Sequence, residues 1–151
     1  MINNQKTKSA KTAGKSKAKG TQDFTYAVGR RREAVARIRL YSGKGQNLVN
    51  EQPMSDYFSG EIARIAYTQP FKLTDTEGQY FITVRVVGGG KKGQLGAVIH
   101  GLSRALAEVE EKKHRPILKK EGFLTRDPRT RERRKVGTGG KARRKKQSPK
   151  R

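Results

Sequence analysis

The chain has 151 residues, 32% of them hydrophobic, and a formal net charge of +23. That length allows one domain with appendages, and the apolar share falls below the usual ~45–50% of a globular chain, so part of it lies outside any packed core. The absence of cysteine excludes a disulfide framework, a thiolate metal site and a cysteine nucleophile, as suits a reducing compartment. No apolar run approaches the ~18 residues that cross a bilayer, and no signal-peptide h-region occurs.

The charge is unevenly placed: residues 1–22 carry +6, residues 23–110 carry +3 and residues 111–151 carry +14. A nearly balanced centre between two cationic ends repels itself unless a polyanion neutralises it, and nucleic acid is the abundant polyanion. A membrane surface fits less well, because no basic stretch also carries a bulky apolar face.

In chain order, residues 1–22 hold Lys, Thr, Ser, Ala, Gly and Gln with Ile2 as the aliphatic residue, and read as a disordered Lys-rich extension. An RNA-seeking extension and a solubilising tail both fit. An organelle transit peptide is opposed by the lack of arginine and of an amphipathic stripe.

An α+β core is expected over residues 23–121. Phe24, Tyr26 and Val28 alternate as a first strand until Gly29-Arg30-Arg31-Arg32-Glu33 interrupts. Ala34, Ala36, Ile38 and Leu40 then alternate with Val35, Arg37, Arg39 and Tyr41, which gives one apolar face and one bearing two arginines. Ser42-Gly43-Lys44-Gly45 is a turn, and residues 46–50 form a short return strand that predicts a hairpin. Pro53 suits the first position of a helix whose apolar face is Met54, Tyr57 and Phe58. Ser59-Gly60-Glu61 opens another short helix through Ile62, Ile65 and Ala66, predicted to stop before Pro70. Phe71 and Leu73 lead into the turn Asp75-Thr76-Glu77-Gly78.

Gly88-Gly89-Gly90-Lys91-Lys92-Gly93-Gln94 is the junction around which the second half of the core is organised. A strand runs into it, with Tyr80, Ile82, Val84 and Val86 alternating against Phe81, Thr83, Arg85 and Val87. A helix leaves it, with the stripe Leu95, Val98, Ile99, Leu102, Leu106 and Val109. Free N–H groups at a helix start, two lysines and glycines that let a phosphate approach make the junction an anion site; a packing turn with solvated lysines is the plainer alternative. Gly88, Gly90 and Gly93 satisfy G-x-G-x-x-G, but the second parallel strand and ribose-binding acid of a dinucleotide fold are missing. The nucleotide P-loop fails as well, since Gln94-Leu95 stands where Lys-Ser or Lys-Thr is required.

Beyond the long helix, Pro116 starts one more turn with Ile117 and Leu118, and Gly122 ends it. Residues 122–151 read as an extended basic arm, with 13 basic residues from Arg126 onward and Val136 as the large aliphatic residue after Thr125. Catalytic chemistry is missing. His100 and His114 do not make a metal site, and His100 is expected on the polar side of its helix rather than at an RNA contact. Gly101-Leu102-Ser103-Arg104-Ala105 resembles a nucleophile elbow but lies mid-helix. The acids are scattered among arginines and lysines. No enzyme, cofactor or metal is expected.

Four stretches resemble one family: Val28-Gly29-Arg30-Arg31-Arg32-Glu33-Ala34-Val35-Ala36-Arg37, Gly88 through Ala97, His100-Gly101-Leu102-Ser103-Arg104-Ala105-Leu106, and Gly122-Phe123-Leu124-Thr125-Arg126-Asp127. Over residues 25–151 the chain is similar to the ninth protein of the small ribosomal subunit in its bacterial form. The resemblance implies a mixed four-stranded sheet with helices packed on it and a left-handed βαβ crossover, which departs from the usual hand. It implies small-subunit rRNA in the head, the 3′ major domain, as partner, with neighbouring head proteins, and a tail threaded to the tRNA of the peptidyl site in a cytoplasmic ribosome.

The rRNA contacts are then expected from Arg30, Arg31, Arg32, Arg37 and Arg39, from Lys91, Lys92 and Gln94, and from Arg104. In the tail they are Arg126, Arg129, Arg131, Arg133, Arg134, Lys135, Lys141, Arg143, Arg144, Lys145 and Lys146. Lys150 and Arg151 are expected to touch tRNA. The chain departs from its relatives at Gln147-Ser148-Pro149, which lacks their aromatic, and at Ile99, where many have arginine. The rival class is a DNA-architectural or histone-like protein, and it lacks an explanation for the glycine–helix block.

Overall fold

The computed structural model describes residues 23–134 and 136. Strands β1 (Phe24–Arg31) and β2 (Ala34–Ser42) form an antiparallel hairpin through a turn at Arg32, and β5 (Tyr80–Val87) pairs antiparallel with the other side of β2 over eight residue pairs. Between them in sequence lie β3 (Leu48–Val49), β4 (Gln52–Pro53), α1 (Met54–Tyr57) and α2 (Glu61–Leu73); α3 (Lys91–Val109) and α4 (Glu111–Lys120) come after β5. The sheet order is β1-β2-β5-β3-β4, so the mixed sheet has five strands rather than the expected four.

The predicted hairpin between β2 and the return strand does not form. The edge of β2 is taken by β5, whose alternation matches it pair for pair, with Leu40 opposite Ile82 and Ile38 opposite Val84. β3 instead runs parallel along the far side of β5 and antiparallel to β4. Two asparagines compensate for its shortness. Asn47 Oδ1 accepts from the Ile82 N–H at 3.0 Å; Asn50 Oδ1 accepts from the Val86 N–H at 2.9 Å, and its Nδ2 donates to the Val86 carbonyl at 3.1 Å. These side-chain amides continue the ladder that a two-residue strand cannot supply.

One face of the sheet is covered. Ala34, Ala36, Ile38 and Leu40 of β2 and Ile82, Val84 and Val86 of β5 are buried against Val98, Leu102, Leu106 and Leu118 of α3 and α4, with Phe71 and Tyr67 of α2 alongside. Burial of each large side chain contributes about 1.5–3 kcal/mol, so this face carries the stability.

On β1 the alternating bulky residues Phe24, Tyr26 and Val28 lie on the open face, not against the helices. Ala27 and Gly29 are buried, while Phe24 and Tyr26 are exposed. Size decides it. A Cβ on Gly29 would lie 1.9 Å from the Ala97 carbonyl oxygen and 2.4 Å from the Gly101 nitrogen, and one on Gly101 would lie 2.8 Å from the Gly29 nitrogen. Helix and strand backbones meet there, so the bulky residues of β1 turn to the opposite side.

Both helices predicted to respect a proline run through it. Pro70 lies inside α2 and is buried, and Pro116 lies inside α4. Each gives up one helical N–H bond. Around Pro70 that loss is offset by burial of Tyr67, Pro70 and Phe71, whereas Ile62 and Ile65, earlier in the helix, are 86% and 57% exposed. Pro53 belongs to β4 and caps α1 rather than starting it. Gly122 ends α4 as expected: its N–H reaches the Lys119 carbonyl and the Phe123 N–H reaches that of Leu118.

Candidate nucleic-acid interface

The turn between β5 and α3 needs its glycines. Gly88 and Gly89 have φ of 76° and 60°, and a Cβ on Gly88 would lie 2.4 Å from the Glu33 carbonyl oxygen. Gly90 is extended at φ −101°. The turn therefore rests on the β1–β2 turn, where Arg32 is itself left-handed at φ 52°. Lys91 and Lys92, read as part of the turn, are the first two residues of α3 and are exposed.

The first turn of α3 contains no acid, and no side chain caps Gly90. Its outward N–H groups and positive dipole end face a groove lined by Arg32, Glu33, Lys91, Lys92, Thr130 and Arg131. Three separate segments thus bring four cations and one carboxylate to one helix start. Gln94 braces the turn: its Nε2 donates to the Gly88 carbonyl at 3.1 Å, and its Oε1 accepts from the Tyr57 hydroxyl at 2.9 Å. Lys91 Nζ lies 5.7 Å from the Tyr57 ring centre.

Other predicted residues have partners within the chain. Arg104 donates to the Val28 carbonyl at 2.6 Å, and His100, one helical turn earlier, accepts the Arg30 N–H on Nδ1 at 3.3 Å. Together they engage the Val28 carbonyl and the Arg30 N–H on the outer edge of β1, groups otherwise open to pairing with another chain. His100 is accordingly half-buried rather than on a solvated face, and burial and then Arg104 hold its pKa below the ordinary imidazole value. The side chain of Arg31 crosses α3 over Gly96 to meet Asp127 at 2.7 Å.

Arg129 donates to the same carboxylate from Nε at 3.0 Å and from a terminal nitrogen at 2.9 Å. These Arg129 bonds, with its backbone N–H and then the charge of Arg31, hold the Asp127 carboxyl well below the usual carboxylate range. The Arg31 contact ties Asp127 to the end of β1.

Arg30, Arg37 and Arg39 lie exposed on the open face of the sheet, and Arg126, Arg131, Arg133 and Arg134 are exposed along the start of the tail. Lys135, Lys141, Arg143, Arg144, Lys145, Lys146, Lys150 and Arg151 lie outside the described residues, as do residues 1–22. Sequence reasoning missed Arg85 and Tyr26, which join Arg37 and Arg39 in a second groove. The alternation in β5 already turned Arg85 outward; Tyr26 was hidden by the reversed face of β1.

Among the described residues no group of His, Asp and Glu is placed to hold a metal ion, and no helix is long and apolar enough to cross a membrane. Cations gathered at a helix start and along a sheet face are the electrostatic footprint common among proteins that bind polyanions. The family pattern described as ribosomal protein S9/S16 matches residues 29–151. The chain belongs to the ribosomal protein S9/S16 family, whose members are structural components of the ribosome and not enzymes. It is 50% identical over 120 residues to the small ribosomal subunit protein uS9 of Maridesulfovibrio salexigens, covering 80% of this chain and 92% of that one. To the uS9 of an Anaeromyxobacter species it is 48% identical over 113 residues, covering 75% and 86%.

Proposed function

We propose that the chain is a structural constituent of the small ribosomal subunit that binds rRNA of the head, the 3′ major domain, in the cytoplasm. The observation that carries this reading is the convergence of Arg32, Lys91, Lys92 and Arg131 on the uncapped start of α3 in a chain of this family. RNA folded into a particle crowds its phosphates, and a helix start ringed by cations from three segments neutralises them. In this reading residues 23–121 are the globular core and residues 1–22 a Lys-rich extension.

Residues 122–151 are the basic arm, and the Arg31–Asp127 ion pair holds its beginning against the core. The arm's last cations, Lys150 and Arg151, contact tRNA in the peptidyl site, and neighbouring head proteins are further partners.

Sedimentation of lysate expressing the tagged full chain tests the assignment. Co-migration with small subunits, and its loss from them when residues 122–151 are removed, is the expected result. Migration with the nucleoid would favour the DNA-architectural alternative and overturn the reading.

A further inference from the structure

The open face of the sheet has a composition that the core does not need. An aromatic ladder crosses it: Phe24 and Tyr41 have ring centres 5.6 Å apart, and Tyr41 stacks on Phe81 at 5.1 Å with an interplanar angle of 13°. The Arg39 guanidinium lies 5.0 Å from the Phe24 ring centre, and the Gly45 backbone lies against Phe81, where a Cβ would come within 2.6 Å of the ring. These rings are occupied by one another. Tyr26, exposed at 48% against 42% for Phe24, is different in its neighbours: among the described residues no ring or guanidinium packs on it.

Tyr26 stands in an open groove of ≈ 400 Å³ whose rim carries Arg37, Arg39 and Arg85, with Thr83 on its floor and Glu51 as its one acid. From this geometry we propose that the groove binds unpaired nucleotides of RNA, with a base stacked on Tyr26 and the flanking phosphates on Arg37, Arg39 and Arg85. Charge favours this occupant, since three guanidiniums face one carboxylate. Form favours it too. A duplex keeps its base faces stacked inside and offers only backbone and groove edges, which would leave the Tyr26 ring unused, whereas single strands present bases to aromatic side chains and arginines. Glu51 leaves that end to a donor, such as a base amino group or a ribose 2′-hydroxyl. The proposal rests on the rRNA-binding reading and specifies the form of RNA that this face accepts.

The test uses the full chain and two fluorescent probes, a heptauridine oligoribonucleotide and an RNA duplex with the same number of phosphates, at moderate salt. Tyr26→Ala should weaken heptauridine binding at least about fivefold, as loss of one stacked base does, and leave duplex binding unchanged. Tyr26→Phe should restore it, because the ring and not the hydroxyl makes the stack. Ultraviolet crosslinking of the wild-type chain should join uridine to the peptide containing Tyr26. Equal weakening of both probes, or no effect of Tyr26→Ala, would overturn the proposal. If Tyr26→Ala left heptauridine binding intact while small subunits isolated with it lost a neighbouring protein, the face would belong to that protein instead. Failure of the wild-type chain to co-migrate with small subunits would sink the functional reading itself, whatever the oligonucleotide results.

Discussion

The two faces of one sheet are built from alternate residues of the same three strands, yet they obey opposite rules. The face under α3 is made of small and aliphatic residues, with Ala27, Ala34, Ala36 and Gly29 where the helix lies closest. The open face holds Tyr26, Arg37, Arg39, Phe81 and Arg85, larger and more polar. The covered side selects for side-chain size as much as for hydrophobicity, because α3 comes into backbone contact with β1. The open side is free of that restriction. It can therefore carry exposed rings and guanidiniums at little cost to folding.

That comparison breaks most visibly at Gly29. Gly29→Val puts branched carbons where helix backbone already stands, and backbone cannot move aside as a side chain can. The expected loss is more than about 3 kcal/mol, at or beyond the upper end for overpacked cores, which is a large share of the ~5–15 kcal/mol of a small domain. Arg85→Ala, on the open side, should change stability by less than about 0.5 kcal/mol. Urea unfolding of both variants measures the contrast, and similar losses would mean that the faces are not distinguished by packing.

A middle-sized effect is expected where the sheet is completed by side chains. Asn50→Ala removes both bonds to Val86, leaving a strand N–H and C=O without their partners. The expected cost is about 1–3 kcal/mol, with faster amide exchange at Val86 than at Ile38. Unchanged exchange at Val86 would show that water or a shifted β3 takes over the amide's work.

The smallest effect lies at the outer edge of β1. His100 accepts the Arg30 N–H only while Nδ1 is unprotonated, and burial and Arg104 keep the folded pKa below the ordinary 6.5. The folded state takes up this proton less readily than the unfolded state does. The contribution is therefore complete above about pH 6.5 and is lost as pH falls through the lower folded value. His100→Gln should flatten the fall of the thermal midpoint between neutral and mildly acidic pH; an identical pH profile would remove His100 from the account.

Where hydrophobic period and side-chain size agreed, the sequence was readable. The alternation in β2 and β5 and the stripe of α3 arise from residues that repeat with the period of their element, and the stop at Gly122 from a left-handed glycine cap. β1 was misread because Phe24, Tyr26 and Val28 alternate as well as any core strand. The countersignal was the pair Gly29 and Gly101, small residues on two elements that must touch. Pro70 and Pro116 misled because tertiary burial outweighs one missing helical bond. The partner of β3 was invisible, since two residues carry no pattern and the asparagines act across 35 and 36 positions.

In the candidate site, the outward arginines of β2 and the lysines at the glycine turn were legible from position alone. The internal engagements of Arg31, Gln94 and Arg104 were not, because each depends on an atom brought near only by the fold.

The claim that the start of α3 holds phosphate is tested most directly by salt. Affinity of the full chain for small-subunit rRNA should fall linearly with salt on a double-logarithmic plot. Replacing Lys91 and Lys92 together with alanine should make that slope shallower by about 1.4–1.8, two phosphates at ~0.7–0.9 each, with the thermal midpoint unchanged. An unchanged slope in a folded variant, or loss of the fold, would contradict the account and leave the glycine turn a packing device with solvated lysines.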